Sequence, residues 1–105
     1  RRTSNHRDDN EITVGKLTIN PEKHIVTANG KNVVLTYKEY HLLLLLMQNK
    51  GVVFSREKLL NKIWGYDFDG ENRTVDVHIR TLRTKLGECG NMIETIRGFG
   101  YKIGE

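Results

Sequence analysis

The chain has 105 residues, 17 Lys plus Arg against 13 Asp plus Glu, a formal net charge of +4 and a single cysteine, Cys89. One modest core is all that such a length can bury, an internal disulfide is excluded, and a reducing, cytoplasmic setting is expected. The longest strictly apolar run, Leu42 to Met47, is too short to cross a bilayer, and no charged-then-apolar leader opens the chain, so no membrane partner is expected.

Residues 1–10, RRTSNHRDDN, contain no aliphatic or aromatic side chain and cannot join a core. They read as a linker or frayed arm ahead of one domain, 11–105, and a first residue of Arg rather than Met suggests a piece of something longer. From Ile12 the pattern turns short and alternating. Asn29-Gly30 supplies a hairpin turn whose two central positions need positive φ, and Val14-Gly15-Lys16 and Asn20-Pro21-Glu22 mark two further reversals. A small antiparallel sheet of four strands, ending near Leu35, follows.

Thr36 and Glu39 have the spacing of a capping box, which predicts a helix from there to about Asn49, with Gly51 as its stop. On a helical wheel Tyr40, Leu43, Leu44, Leu46 and Met47 form a broad apolar arc, while Leu45 falls among Lys38, His41, Gln48 and Asn49 and is expected on the surface. Ser55 can cap a second helix, 56–64, with Leu59, Leu60, Ile63 and Trp64 inward. A loop, 65–71, leads to a third helix, 73–86, ended by Gly87. The last segments, METIR and YKI, flank a glycine-bracketed Phe99 and read as a terminal hairpin. The fold class is α+β.

The third helix, RTVDVHIRTLRTKL, carries the functional signal. Val75, Ile79, Leu82 and Leu86 share one face and belong to the core. Arg73, Val77, Arg80 and Thr84 are thereby forced onto the opposite face, with Thr74, Thr81 and then His78 on one shoulder and Arg83 on the far flank. Threonine and valine are poor choices for a merely solvated helix surface. A rod about 21 Å long with this face fits a DNA major groove, where arginine, threonine and valine meet base edges and thymine methyls. Asp76 lies one turn from both Arg73 and Arg80 and is expected to steady either guanidinium, or to form a simple surface pair.

RTVDVHIRTLRTKL followed by ETIRGFGYKI resembles the signature of the OmpR/PhoB family of bacterial response regulators, and LTYKEYHLLLLL and GVVFSREKLLNKIWG resemble its earlier helices. The resemblance spans residues 12–104. It implies a winged helix-turn-helix: an N-terminal four-stranded sheet, three helices and a C-terminal β-hairpin wing. It also implies sequence-specific binding of double-stranded DNA, with the third helix in the major groove and the wing in the minor groove. Carried over by position, Trp64, Arg73, Thr74, His78, Arg80, Arg83, Thr95 and Tyr101 are similar to residues that touch phosphate or sugar. Val77, Thr81 and Thr84 face bases, and Arg97 resembles an arginine inserted in the minor groove. Thr81 departs from better-known members, which often carry arginine there. Phe99 at the hairpin tip can wedge between bases, although a fold-back onto the domain's own surface is the expectation.

The segment Gly65, Tyr66, Asp67, Phe68, Asp69, Gly70 and Glu71 holds three acidic residues and no basic one. Negative charge suits the start of the third helix, and a DNA-docking turn needs only three or four residues. The resemblance implies a loop that contacts RNA polymerase. It further implies an N-terminal receiver domain phosphorylated by a sensor kinase, and pairing on tandem DNA half-sites by a domain that is otherwise monomeric.

Catalysis finds no support. His6, His24, His41, His78 and Cys89 show no metal-ligand spacing, so neither metal nor cofactor is expected. GFGYKIG is not a dinucleotide fingerprint, Ser55 lacks a recognisable His and carboxylate order, and the glycosylation match at Asn72-Arg73-Thr74 is chance. The competing reading is a winged helix serving protein–protein contact alone.

Overall fold

The computed structural model describes residues 11–65 and 71–104. The arm 1–10 and loop residues Tyr66, Asp67, Phe68, Asp69 and Gly70 lie outside the described residues. Four short strands, β1 (Ile12–Val14), β2 (Leu17–Asn20), β3 (Ile25–Ala28) and β4 (Lys31–Val33), form an antiparallel meander in chain order. Its register sets Ile12 opposite Ile19, Ile19 opposite Val26 and Val26 opposite Val33. Alternation then sends Leu17, Ile19, Val26 and Ala28 into the core. Asn29 and Gly30, at φ 54° and 84°, make the positive-φ turn that the sequence calls for.

Helix α1 (Tyr37–Gln48) begins at the expected capping box: Glu39 N–H donates to Thr36 Oγ1 and Thr36 N–H donates to Glu39 Oε1. It packs against β1 and two further helices, so its buried arc is wider than one stripe. Leu42 joins Leu43 and Leu46 at 0% exposure, whereas Leu44, expected in the arc, is half-buried. Leu45 is also half-buried and packs on the core rather than standing on the surface. A helix with neighbours on several sides has no wholly free face for a leucine.

Strand β5 (Phe54–Ser55) leads directly into α2 (Arg56–Ile63), which Ser55 caps by accepting from Lys58 N–H at 3.0 Å. Leu59 and Leu60 are buried; Ile63 and Trp64 are only partly so. Helix α3 (Arg73–Leu86) follows, then a 3-10 turn (Gly87–Met92), β6 (Ile93–Ile96) and β7 (Gly100–Ile103). The terminal hairpin is not alone. β5 pairs with β7 to give a three-stranded sheet in the order β5-β7-β6, with Phe54 opposite Tyr101 and Ser55 opposite Gly100. Only glycine permits this approach, because a Cβ on Gly100 would collide with the Phe54 carbonyl oxygen.

Gly100→Ala is therefore expected to destabilise the domain by about 1–3 kcal/mol, as overpacking against backbone does. Urea unfolding checks this, and an unchanged midpoint would contradict the close approach.

Candidate nucleic-acid interface

Helix α3 lies with one side in the core: Val75, Ile79, Leu82 and Leu86 are 0–3% exposed. Arg73, Val77, Arg80 and Thr84 consequently face solvent, Val77 at 53% exposure, while Thr74, His78 and Thr81 are half-buried on one shoulder. The hydroxyls of Thr81 and Thr84 donate to the carbonyls of Val77 and Arg80, each at 3.1 Å. Their protons are thus occupied within the helix, leaving methyl groups and oxygen lone pairs for a ligand.

Each flank of α3 is braced differently. On the shoulder side His78 stands edge-on to Trp64 at 4.8 Å between ring centroids, and its Nδ1 lies 2.9 Å from the Thr74 carbonyl oxygen. A carbonyl only accepts, so that bond places the proton on Nδ1 and turns Nε2 to the other side of the ring. Trp64, just past α2, also carries Lys38 over its ring at 5.4 Å, and Lys38 Nζ donates to the Ile63 carbonyl. Gly65 and Glu71 are the described ends of the acidic segment, Glu71 exposed and its carbonyl accepting from Thr74 N–H.

The opposite flank meets the wing. Arg83 donates through Nε and a terminal nitrogen to the Ile93 carbonyl and through the latter to Thr95 Oγ1 at 2.8 Å. Its guanidinium also lies 5.7 Å from the Tyr101 ring centre. Tyr101 is 7% exposed, and its hydroxyl donates to Asp76 Oδ1 at 2.6 Å. Asp76 Oδ2 takes Arg56 at 3.0 Å. Asp76 therefore steadies neither Arg73 nor Arg80. It sits toward α2 and β7, while those two arginines stand on the open face. Arg83 and Tyr101, both expected at phosphates, have groups committed to the joint between helix and wing. Arg97 and Thr95 are exposed on the wing.

A third brace sits at the far end of α3. Lys85 Nζ meets Glu39 Oε1 at 2.7 Å, with the Glu39 side chain 5% exposed. Burial pushes that carboxyl up, but hydrogen bonds from Lys85 and the Thr36 backbone outweigh it, and the net shift is downward. Arg56 and Lys85 are positioning residues that sequence reasoning missed, and it found Glu39 only as the cap of α1. Their partners lie 20 and 46 positions away, beyond any local spacing rule. Among the described residues no group of three or more His, Cys, Asp or Glu is placed to hold a metal, and no helix is long and apolar enough to cross a membrane.

Residues 30–103 match the family model described as transcriptional regulatory protein, C terminal. The chain belongs to the OmpR/PhoB-type DNA-binding domains of response regulators. It is 52% identical over 95 residues to the regulatory protein VanRB of Enterococcus faecalis, covering 90% of this chain and 42% of that protein. It is 41% identical over 104 residues to the heme response regulator HssR of Staphylococcus aureus, covering 97% and 46%. The domain thus spans less than half the length of these relatives. DrrB of Thermotoga maritima, an OmpR/PhoB homolog, superposes with a TM-score of 0.82 at 33% identity, over 91% of this chain and 45% of that one. The Klebsiella pneumoniae RstA DNA-binding domain, solved in complex with the RstA box, gives 0.79 at 35% identity, over 90% and 96%.

The Tyr101–Asp76 bond has a measurable signature. Burial first, then the Asp76 hydrogen bond and charge, push the Tyr101 hydroxyl up to about 12, partly offset by Arg83 and Arg56. An unfolded chain releases such a proton near 10. The bond's contribution is therefore complete below about pH 10 and is lost as pH rises toward about 12. Ionisation of Tyr101, followed by NMR at its ring carbon, should be delayed in the wild type and move downward in Asp76→Ala. Tyr101→Phe should cost about 1–2 kcal/mol at neutral pH and nothing further above pH 12.

Proposed function

We propose that this domain binds double-stranded DNA sequence-specifically, with α3 in the major groove and the wing at the adjacent minor groove, and regulates transcription. One observation carries the reading: α3 turns two arginines, a valine and a threonine outward on a single face while braced on both flanks and at its end. An 11 Å-wide rod with that face suits a groove about 12 Å across. Arg73 and Arg80 supply phosphate contacts that orient the helix. Trp64, Thr74, His78, Arg83, Thr95 and Tyr101 add contacts along phosphate and sugar. Val77, Thr81 and Thr84 meet base edges, where methyl groups favour thymine. Arg97 enters the minor groove, most readily where A·T pairs narrow it. The RstA domain's complex with its box lends support by likeness.

For Arg83 and Tyr101 the role has two parts. Their inward bonds set the angle between helix and wing, and phosphate contact falls to whatever edge of each group remains outward.

The acidic segment from Gly65 to Glu71 faces RNA polymerase in this reading, since Asp67, Asp69 and Glu71 repel phosphate. The relatives' greater length supports an attached receiver domain, served by a sensor kinase in the cytoplasm. Phosphorylation then pairs two otherwise monomeric domains on tandem half-sites.

Affinity for duplex DNA should fall steeply with salt, with a log–log slope near −0.9 per phosphate neutralised. No binding at low salt would instead favour a domain serving only protein contacts. Arg80→Ala should weaken matched and scrambled sites alike and reduce the slope by about 1. Thr81→Ala should shift sequence preference by about 1–3 kcal/mol at one position; equal losses on both sites would remove its base-reading role. Replacing Asp67 and Asp69 together with Ala should leave promoter binding intact and lower transcription in a reconstituted assay, and unchanged transcription would refute the polymerase contact.

A further inference from the structure

Phe99 is 71% exposed at the tip of the wing. It does not fold back onto the domain, contrary to what its flanking glycines suggest. The reason lies in how firmly the tip is built. Phe99 N–H donates to the Ile96 carbonyl at 2.9 Å, closing a tight turn over Arg97 and Gly98. On the other side Gly100 is pressed against the β5 backbone, and Tyr101 is tied to Asp76. The phenyl ring therefore stands out from a base fixed on both sides. It cannot reach the core without breaking that turn or lifting β7 from β5.

Arg97 shares the turn and is also exposed. The cleft beneath the tip brings Arg56, Asp76, Arg97 and Phe99 around one opening, so the tip sits close to the start of α2 and the first turn of α3. A cation and an apolar ring side by side on a narrow hairpin match two features of a DNA minor groove. One is its negative potential; the other is the apolar stack exposed when a base step opens.

We propose that Phe99 is an apolar wedge: its ring enters the minor groove beside Arg97 and partly unstacks one base step. The wing then selects sequence through deformability, favouring a flexible pyrimidine–purine step (TA or CA/TG) where it docks. This rests on the DNA-binding reading above and adds to it a specificity element outside α3.

The test uses duplexes selected by the wild-type chain, with 2-aminopurine placed at the step under the wing. Wild type should brighten the probe and bend the duplex in a circular-permutation assay. Phe99→Ala should bind about tenfold more weakly, as loss of a base-stacking aromatic does, and should lose the brightening, the bend and the step preference. Its salt slope should stay unchanged, because no phosphate contact is lost. Phe99→Leu should keep most of all three. Weaker binding with bend and brightening intact would reduce Phe99 to a sugar contact and overturn the wedge, as would wild-type affinity in Phe99→Ala. A lower melting temperature in Phe99→Ala would show that the ring serves the fold instead. Failure of the wild-type chain to bind any duplex is a separate result: it overturns the DNA-binding reading and the wedge with it.

Discussion

The outward face of α3 exists because the inward face has nowhere else to go. Val75, Ile79, Leu82 and Leu86 are buried to within a few per cent, and burying each such side chain is worth about 1.5–3 kcal/mol. Turning the helix by one residue, 100°, would lift several of them into water and drive polar or charged side chains into the core. Such a rotation is prohibitively costly, so the helix has one azimuth. The functional face is a by-product of packing, and it needs no surface interaction of its own to hold it.

Packing fixes rotation but leaves the angle between helix and wing to be set by polar contacts. Asp76 accepts from Tyr101 and Arg56 together, and Arg83 reaches across to Ile93 and Thr95. The Arg56–Asp76 pair is 45% and 36% exposed on its two sides, so its contribution to stability is small. Its value is geometric, since one carboxylate joins α2, α3 and β7. Glu39 works differently. It closes the cap of α1 with one oxygen and holds the end of α3 through Lys85 with the same oxygen, in a nearly dry site. Removing Lys85 would leave a buried carboxylate that its own helix cap cannot release.

Much of this was legible from the chain alone, for definite reasons. Asn29-Gly30, the Thr36–Glu39 box and the Ser55 cap are local devices whose chemistry acts within four residues, and each appears in the structure as expected. The four-residue apolar face of α3 is likewise periodic and local. What escaped was set by contacts distant in sequence. Leu42 is buried and Leu45 half-buried because α1 has several neighbours, which a wheel drawn on one helix does not contain. β5 has two residues, too few to show alternation, and is a strand only because β7 returns beside it. Asp76 had two plausible arginines one turn away; the partner it took is on another helix. Phe99 was misjudged because glycines on both sides suggest pliability, whereas one of them is a packing requirement.

The pairing of Phe54 with Tyr101 joins the middle of the chain to its last strand. The meander and α1 can assemble from neighbouring segments, but the three-stranded sheet must await closure of a loop containing α2, α3 and β6. Long closures of this kind are slow and are rewarded only at the end. During synthesis, then, a nascent chain would carry α3 and its Arg83 partners on β6 before Tyr101 is present to pair with Asp76. The tie through Tyr101 and Asp76 is completed only when β7 takes its place between β5 and β6.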